Sequence, residues 1–228
     1  MLKIIRYSAA LLLAAIGGLW VHAWFTHAPG QGVAEAFGQR LAQVFGHDMP
    51  VPSVAGGVQL PPGISLGGAF SLTRQDGVAV TERDYAGQWL LVYFGFLYCP
   101  DICPTELGRI ADVIDALGPV GERITPVFIT IDPDRDRPEN LADYVSRFHP
   151  RMQGLTGTTE QIAAVARQFR VYYARANSPN TTEYLMDHSS FIYLVGPDHR
   201  VRTLFRPDTA VEGMTRLING QIRNLTSS

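Results

Sequence analysis

Cys99 and Cys103 are the only cysteines in 228 residues, and they stand four positions apart in Cys-Pro-Asp-Ile-Cys-Pro. An apolar run over 89–96 precedes them directly. The run predicts a buried strand, and the residues after the second cysteine predict a helix. Both thiols therefore fall between a strand exit and a helix entrance, where unpaired backbone N–H groups favour thiolate over thiol. Such a pair suits soft-metal or redox chemistry. The Cys-x3-Cys spacing alone leaves several readings open. A structural disulfide would close so short a loop that it removes little chain entropy. Structural zinc asks for four ligands, and no second cysteine pair exists. Two thiolates with one imidazole suit copper, because Cu(I) favours soft sulfur at low coordination number and Cu(II) tolerates added nitrogen or oxygen.

The imidazole has six sources: His22, His27, His47, His149, His188 and His199. The first three lie in the N-terminal quarter, His149 follows a predicted helix, and His199 sits in a predicted hairpin turn. His188, in Leu185-Met-Asp-His-Ser-Ser190, immediately precedes another apolar strand candidate. Met186 offers a thioether two residues away, but its expected role is core packing. Asp132, Asp134, Arg135 and Asp136 make a charged loop at a strand's carboxyl end, the side where α/β folds place ligands. A solvated turn with Asp capping the next helix is the alternative for that loop. Arg109, one helical turn past Cys103, reads as a surface residue, so a peroxidatic cysteine lacks a clear arginine partner.

The elements that must position these residues follow from periodicity. A hairpin over 69–80 turns at Asp76-Gly77, since Asp-Gly supplies the positive φ that such turns need. A short turn or helix occupies 81–87. Strands over 89–96 and 124–131 are apolar on both faces, as central parallel strands should be. Helices are expected over 104–117, 138–148, 159–170 and 210–224, the third with Ile162, Val165, Ala166 and Phe169 on one face. Residues 171–173, 184–186, 191–195 and 201–205 are further strand candidates, the last two joined as a hairpin. Strand and helix alternate before that closing hairpin, which predicts an α/β sandwich with a mixed sheet.

Nineteen basic against twenty-one acidic residues give a net charge of −2, so no electrostatic footprint for nucleic acid is present. Residues 7–25 contain no Asp, Glu, Lys or Arg, which is long enough as a helix to cross a bilayer core of about 30 Å. Lys3 and Arg6 precede this run and no basic residue follows until Arg40, a bias that keeps the N-terminus cytoplasmic and exports the rest to the periplasmic side. A cleaved signal peptide, with Val21-His22-Ala23 as the small-x-small site, is the competing reading. The expected organisation is an anchor over 1–25, a Gly/Pro-rich tether over 26–67 with a short amphipathic stretch at 34–45, and one folded domain over 68–228.

Three blocks of the sequence, Phe94-Gly-Phe-Leu-Tyr-Cys-Pro-Asp-Ile-Cys-Pro-Thr105, Thr130-Ile-Asp-Pro-Asp-Arg-Asp136 and Asp187-His-Ser189, resemble those of the Sco/SenC family of membrane-tethered copper proteins. The resemblance runs from about Gly68 to the C-terminus and includes the N-terminal anchor. It implies a thioredoxin-like fold, copper held by Cys99, Cys103 and His188, and a role in assembling the binuclear copper centre of cytochrome c oxidase. The implied partners are the oxidase subunit that carries that centre and a thioredoxin-like reductant, because copper loading requires a reduced cysteine pair. It also makes Asp132 and Asp136 candidates for partner docking or for electrostatics around the ligands. Leu97-Tyr98 depart from the residues frequent before the first cysteine in that family. A thiol–disulfide oxidoreductase acting on the acceptor's cysteines is the alternative function.

Overall fold

Residues 53–54, 57–61, 63–176 and 184–226 are described by the computed structural model. The expected anchor, the amphipathic stretch at 34–45, and His22, His27 and His47 lie outside them. Among the described residues no helix is long and apolar enough to cross a membrane.

Strand β1 (Ser53–Val54) pairs antiparallel with β2 (Gly57–Gln59). A hairpin of β3 (Ser71–Arg74) and β4 (Ala79–Thr81) turns through Gly77 at φ 81°, as the Asp-Gly signal requires. Strand β5 (Trp89–Gly95) is buried at every position. It runs parallel to β6 (Ile124–Thr130), which runs parallel to β7 (Gln153–Thr156). Helices α1 (Ile102–Ala116) and α2 (Pro138–Ser146) form the two crossovers. After α3 (Thr159–Phe169), strands β8 (Tyr173–Ala176) and β9 (Leu185–His188) pair, among the described residues, only with each other. Strands β10 (Ile192–Val195) and β11 (Val201–Phe205) form an antiparallel hairpin that joins β5, and α4 (Val211–Thr226) follows. The large sheet has the order β1-β2-β11-β10-β5-β6-β7-β3-β4. This is the mixed α/β architecture expected from the sequence.

The core is built on the alternation of β5. Phe94 points to one face, where its ring lies 5.2 Å from Phe169 of α3 and 5.8 Å from Tyr193. Tyr93 points to the other, toward Cys103 of α1. The α3 stripe Ile162, Val165, Ala166 and Phe169 is buried as its periodicity demands, and a reciprocal Thr158–Gln161 capping box starts that helix.

Several elements differ from expectation: β1 falls in the stretch read as tether, the strand expected at 171–173 lies at Tyr173–Ala176, and three further cases have a local cause. Helix α1 begins at Ile102, two residues before the expected start, so Cys103 lies inside its first turn. Strand β7 was not expected, because Gln153-Gly-Leu-Thr156 carries little β signal. It forms since Gly154 lets β7 approach α2 closely: a Cβ there would sit 3.2–3.3 Å from Val145 and Leu141. Strand β2 lies within the stretch read as tether, yet it pairs with β11. Gly57 is what permits this, with Leu217 and Thr203 filling the space its missing side chain leaves.

Candidate metal centre

The chain leaves β5 at Gly95 and makes a turn in which Cys99 N–H donates to the Phe96 carbonyl at 3.3 Å. It then enters α1. No side-chain oxygen caps this helix. Instead the Cys99 sulfur accepts the Cys103 N–H at 3.4 Å, and Pro104 removes one further first-turn donor. Sulfur therefore takes the place of a capping oxygen, and the helix dipole favours its negative form.

Cys103 is fully buried and Cys99 half-buried, and both are free thiols. A Cβ at Gly95 would lie 2.7 Å from the Cys103 sulfur, 3.0 Å from the Phe128 ring and 3.1 Å from the Tyr93 ring. Only glycine leaves the sulfur its seat. The Tyr93 hydroxyl lies 3.8 Å from the same sulfur, and burial raises that phenol's pKa far above its ordinary value.

His188 ends β9, whose register places it opposite Tyr173. Its Nε2 is 3.6 Å from the Cys103 sulfur, while Nδ1 is 3.1 Å from the Ser189 carbonyl. Donation from Nδ1 to that carbonyl leaves Nε2 as the lone-pair nitrogen facing sulfur. The ring stands edge-on to Tyr93 and Phe96, with centroids 6.0 Å away in both cases. Cys99 Sγ, Cys103 Sγ and a His188 ring nitrogen all lie within 4.8 Å of one another.

The two thiols are electrostatically unequal, where the sequence suggested that both would favour thiolate. Cys99 is lowered to about 4, chiefly by the hydrogen bond from the Cys103 thiol and further by the N–H groups of Asp101 and Cys103. Cys103 is pushed up, first because it shares its proton with Cys99 and second by burial. One proton between two sulfurs settles on the buried one, and the accessible sulfur carries the charge. Two soft donors and one imidazole with its lone pair turned inward form a donor set suited to copper.

The charged loop after β6 is not a solvated turn. Asp132 and Asp136 are both buried, and neither caps α2. Asp136 Oδ2 accepts the Leu97 N–H at 3.1 Å and the Thr130 hydroxyl at 2.6 Å, and burial raises this carboxyl to about 6. Asp132 accepts from Arg135 Nε and from the Tyr184 hydroxyl, each at 2.6 Å. Arg109 is not a surface residue either. It lies 3.1 Å from the fully buried Glu106 and donates to the Pro207 carbonyl. Met186 packs in the core, as expected. His149 and His199 stay away from the thiols: His149 Nδ1 accepts the Arg151 N–H at 3.1 Å, and His199 sits in the β10–β11 turn at φ 61°. Gly95, Tyr93 and Phe96 are the parts of the site that residue chemistry alone did not single out. For Tyr93 and Gly95 the signal was the phase of β5, since residues 93 and 95 share the face that meets α1.

The chain is similar to several known proteins. A sequence model of the family described as SCO1/SenC matches residues 59–223. The human protein named "Protein SCO1 homolog, mitochondrial" is 48% identical over 135 residues, covering 58% of this chain and 45% of the human one. The chain thus spans about half the length of that relative. "Protein sco1" of Schizosaccharomyces pombe is 37% identical over 212 residues, covering 92% of this chain and 74% of the yeast one. Among solved structures, Arabidopsis thaliana ScoI with copper bound superposes with a TM-score of 0.67 at 42% identity, covering 70% of this chain and 99% of that one.

Proposed function

Because this chain belongs to the SCO1/SenC family, we propose that it is a copper chaperone that delivers copper to, and helps assemble, the binuclear copper centre of cytochrome c oxidase. The observation that carries the reading is the meeting of Cys99 Sγ, Cys103 Sγ and the His188 ring within 4.8 Å at the end of the buried strand β5. Copper is cargo here. Cys99 and Cys103 supply the thiolates and His188 the third ligand, and the sulfur of Cys99, being the more accessible, faces the acceptor. Binding releases the proton that the two thiols share, so affinity falls as the pH is lowered.

The domain works on the periplasmic side, held by an anchor over 1–25 and a tether, with the oxidase subunit that receives copper as its partner. The 19-residue uncharged run at 7–25 and the basic residues before it support that placement. A titration of the reduced full chain with Cu(I) against a competing chelator tests the site. Each of Cys99→Ala, Cys103→Ala and His188→Ala is expected to weaken binding by at least about tenfold. Unchanged tight binding in all three variants would remove the assignment.

The unequal thiols favour a second reading, that the same pair exchanges disulfide with the acceptor's cysteines. The charged, half-buried Cys99 is the attacking sulfur, the buried Cys103 resolves the mixed disulfide, and a thioredoxin-like reductant restores the pair. In that case Cys99→Ser abolishes exchange and His188→Ala retains most of it, whereas loss of oxidase copper in His188→Ala with exchange intact selects delivery.

A further inference from the structure

The thiols flank the large sheet and the imidazole rides on the small one, and one turn touches both. Residues 132–136 hold the thiol side through Asp136, whose carboxylate takes the N–H of Leu97, two residues before Cys99. They hold the imidazole side through Asp132, which accepts the hydroxyl of Tyr184, and through Arg135, which donates to the Tyr184 carbonyl at 3.0 Å. Tyr184 immediately precedes the strand that ends in His188. Between them lies one guanidinium. Arg135 stands 4.7 Å from the Tyr98 ring, next to Cys99, and 3.7 Å from the Tyr184 ring. Arg175 of β8 also lies over the Tyr184 ring, 4.5 Å from its centroid, and pairs with Asp134.

On the strength of the copper reading, we propose that the turn 132–136 is a clamp that fixes the separation of the sulfur pair and the imidazole, with Asp136, Asp132, Arg135 and Tyr184 as positioning residues. None of the four needs to touch copper. The thiol arm is fixed because the Asp136 carboxylate is itself held by Thr130, whose hydroxyl also takes the Asp132 N–H at 2.9 Å. Among the described residues β9 is hydrogen-bonded to no strand but β8, so its alignment with the thiols depends on what grips the strand's beginning. Metal affinity of a site assembled from two bodies falls when their spacing is left loose.

The test is a double-mutant cycle on the full chain, read by copper affinity and by the spectrum of the Cu(II) form. Tyr184→Ala is expected to weaken binding by about tenfold and to erode the imidazole nitrogen hyperfine signal while the sulfur-to-copper charge-transfer band persists. In a His188→Ala background the same change should alter affinity by less than about twofold, because Tyr184 acts through His188. Asp136→Ala should weaken binding by about tenfold, and Asp136→Asn, which keeps an acceptor for Leu97, should restore it. Tyr184→Phe keeps the ring stack and should fall between wild type and Tyr184→Ala. An equal loss from Tyr184→Ala with and without His188 overturns the clamp and leaves the copper site standing. If His188→Ala changes neither affinity nor spectrum, the copper reading and the clamp fall together.

Discussion

The sulfur side and the imidazole side of the centre are built to different standards. The thiols sit against β5, a strand buried at every residue and paired on both edges, and Cys103 is sealed among Gly95, Phe128 and Tyr93. The imidazole rides on a two-stranded sheet in which only Met186 of β9 is buried. A seat that cannot move holds two of the donors, and a hairpin with one interior side chain brings the third. Local opening is governed by such differences in packing, so the hairpin is the half that opens at the lower cost.

The strongest way to break that contrast is on the rigid side. Gly95→Ala places a methyl 2.7 Å from the Cys103 sulfur, 3.0 Å from the Phe128 ring and 3.1 Å from the Tyr93 ring. We expect a loss of about 1–3 kcal/mol in urea unfolding, together with loss of tight copper binding. Stability and binding left as in wild type would show the seat to be adjustable. A smaller effect separates the two sulfurs. With Cys99 lowered to about 4 and Cys103 pushed up, iodoacetamide at pH 6 should add one group, at Cys99, as read by peptide mass spectrometry. The reaction should fade as the pH falls through about 4. Equal labelling of both cysteines would contradict the asymmetry.

What the sequence made legible follows the same divide. Central strands announce themselves because burial on both faces forces unbroken apolar runs, and the two cysteines are local to each other in the chain. His188 stands out in sequence by its place just before an apolar strand, and its role as a ligand is what the family resemblance implies. The edges were harder to read. Strands β2 and β7 exist because Gly57 and Gly154 make room for Leu217, Leu141 and Val145, and a glycine that permits close approach is indistinguishable in sequence from one that loosens a linker. The charged loop left two readings open for a related reason. Asp132 and Asp136 are buried by partners 52 and 39 residues away, Tyr184 and Leu97, and no local pattern encodes those pairs.

Glu106 extends the rigid side one turn along α1 and predicts a pH effect. Burial raises it from 4.5 to about 7, with Arg109 opposing and Asp208 adding to the rise. A carboxyl with a raised folded-state pKa stabilises the fold fully below its unfolded value, and that contribution is lost as the pH rises through the folded value. Wild-type stability should therefore carry a decline between about 4.5 and about 7 that Glu106→Gln lacks. Chemical unfolding at several pH values reads this as a difference that moves in favour of the variant as pH rises. A constant difference across that window would mean that Arg109 keeps the carboxylate ionised throughout.

The smallest expected effect lies on the hairpin, and its size is what gives it value. Leu185 directly follows Tyr184, but alternation turns it outward, and it is 38% exposed. If β9 is aligned by Tyr184 and the turn beneath it, and not by the hairpin's outer surface, Leu185→Ser should change stability by less than about 0.5 kcal/mol and copper affinity by less than about twofold. Adjacent residues would then differ in effect solely because one faces Asp132 and Arg135 and the other faces away. A loss from Leu185→Ser as large as that from Tyr184→Ala would mean that the hairpin responds to any disturbance, and the imidazole's place would have to be credited to the hairpin as a whole.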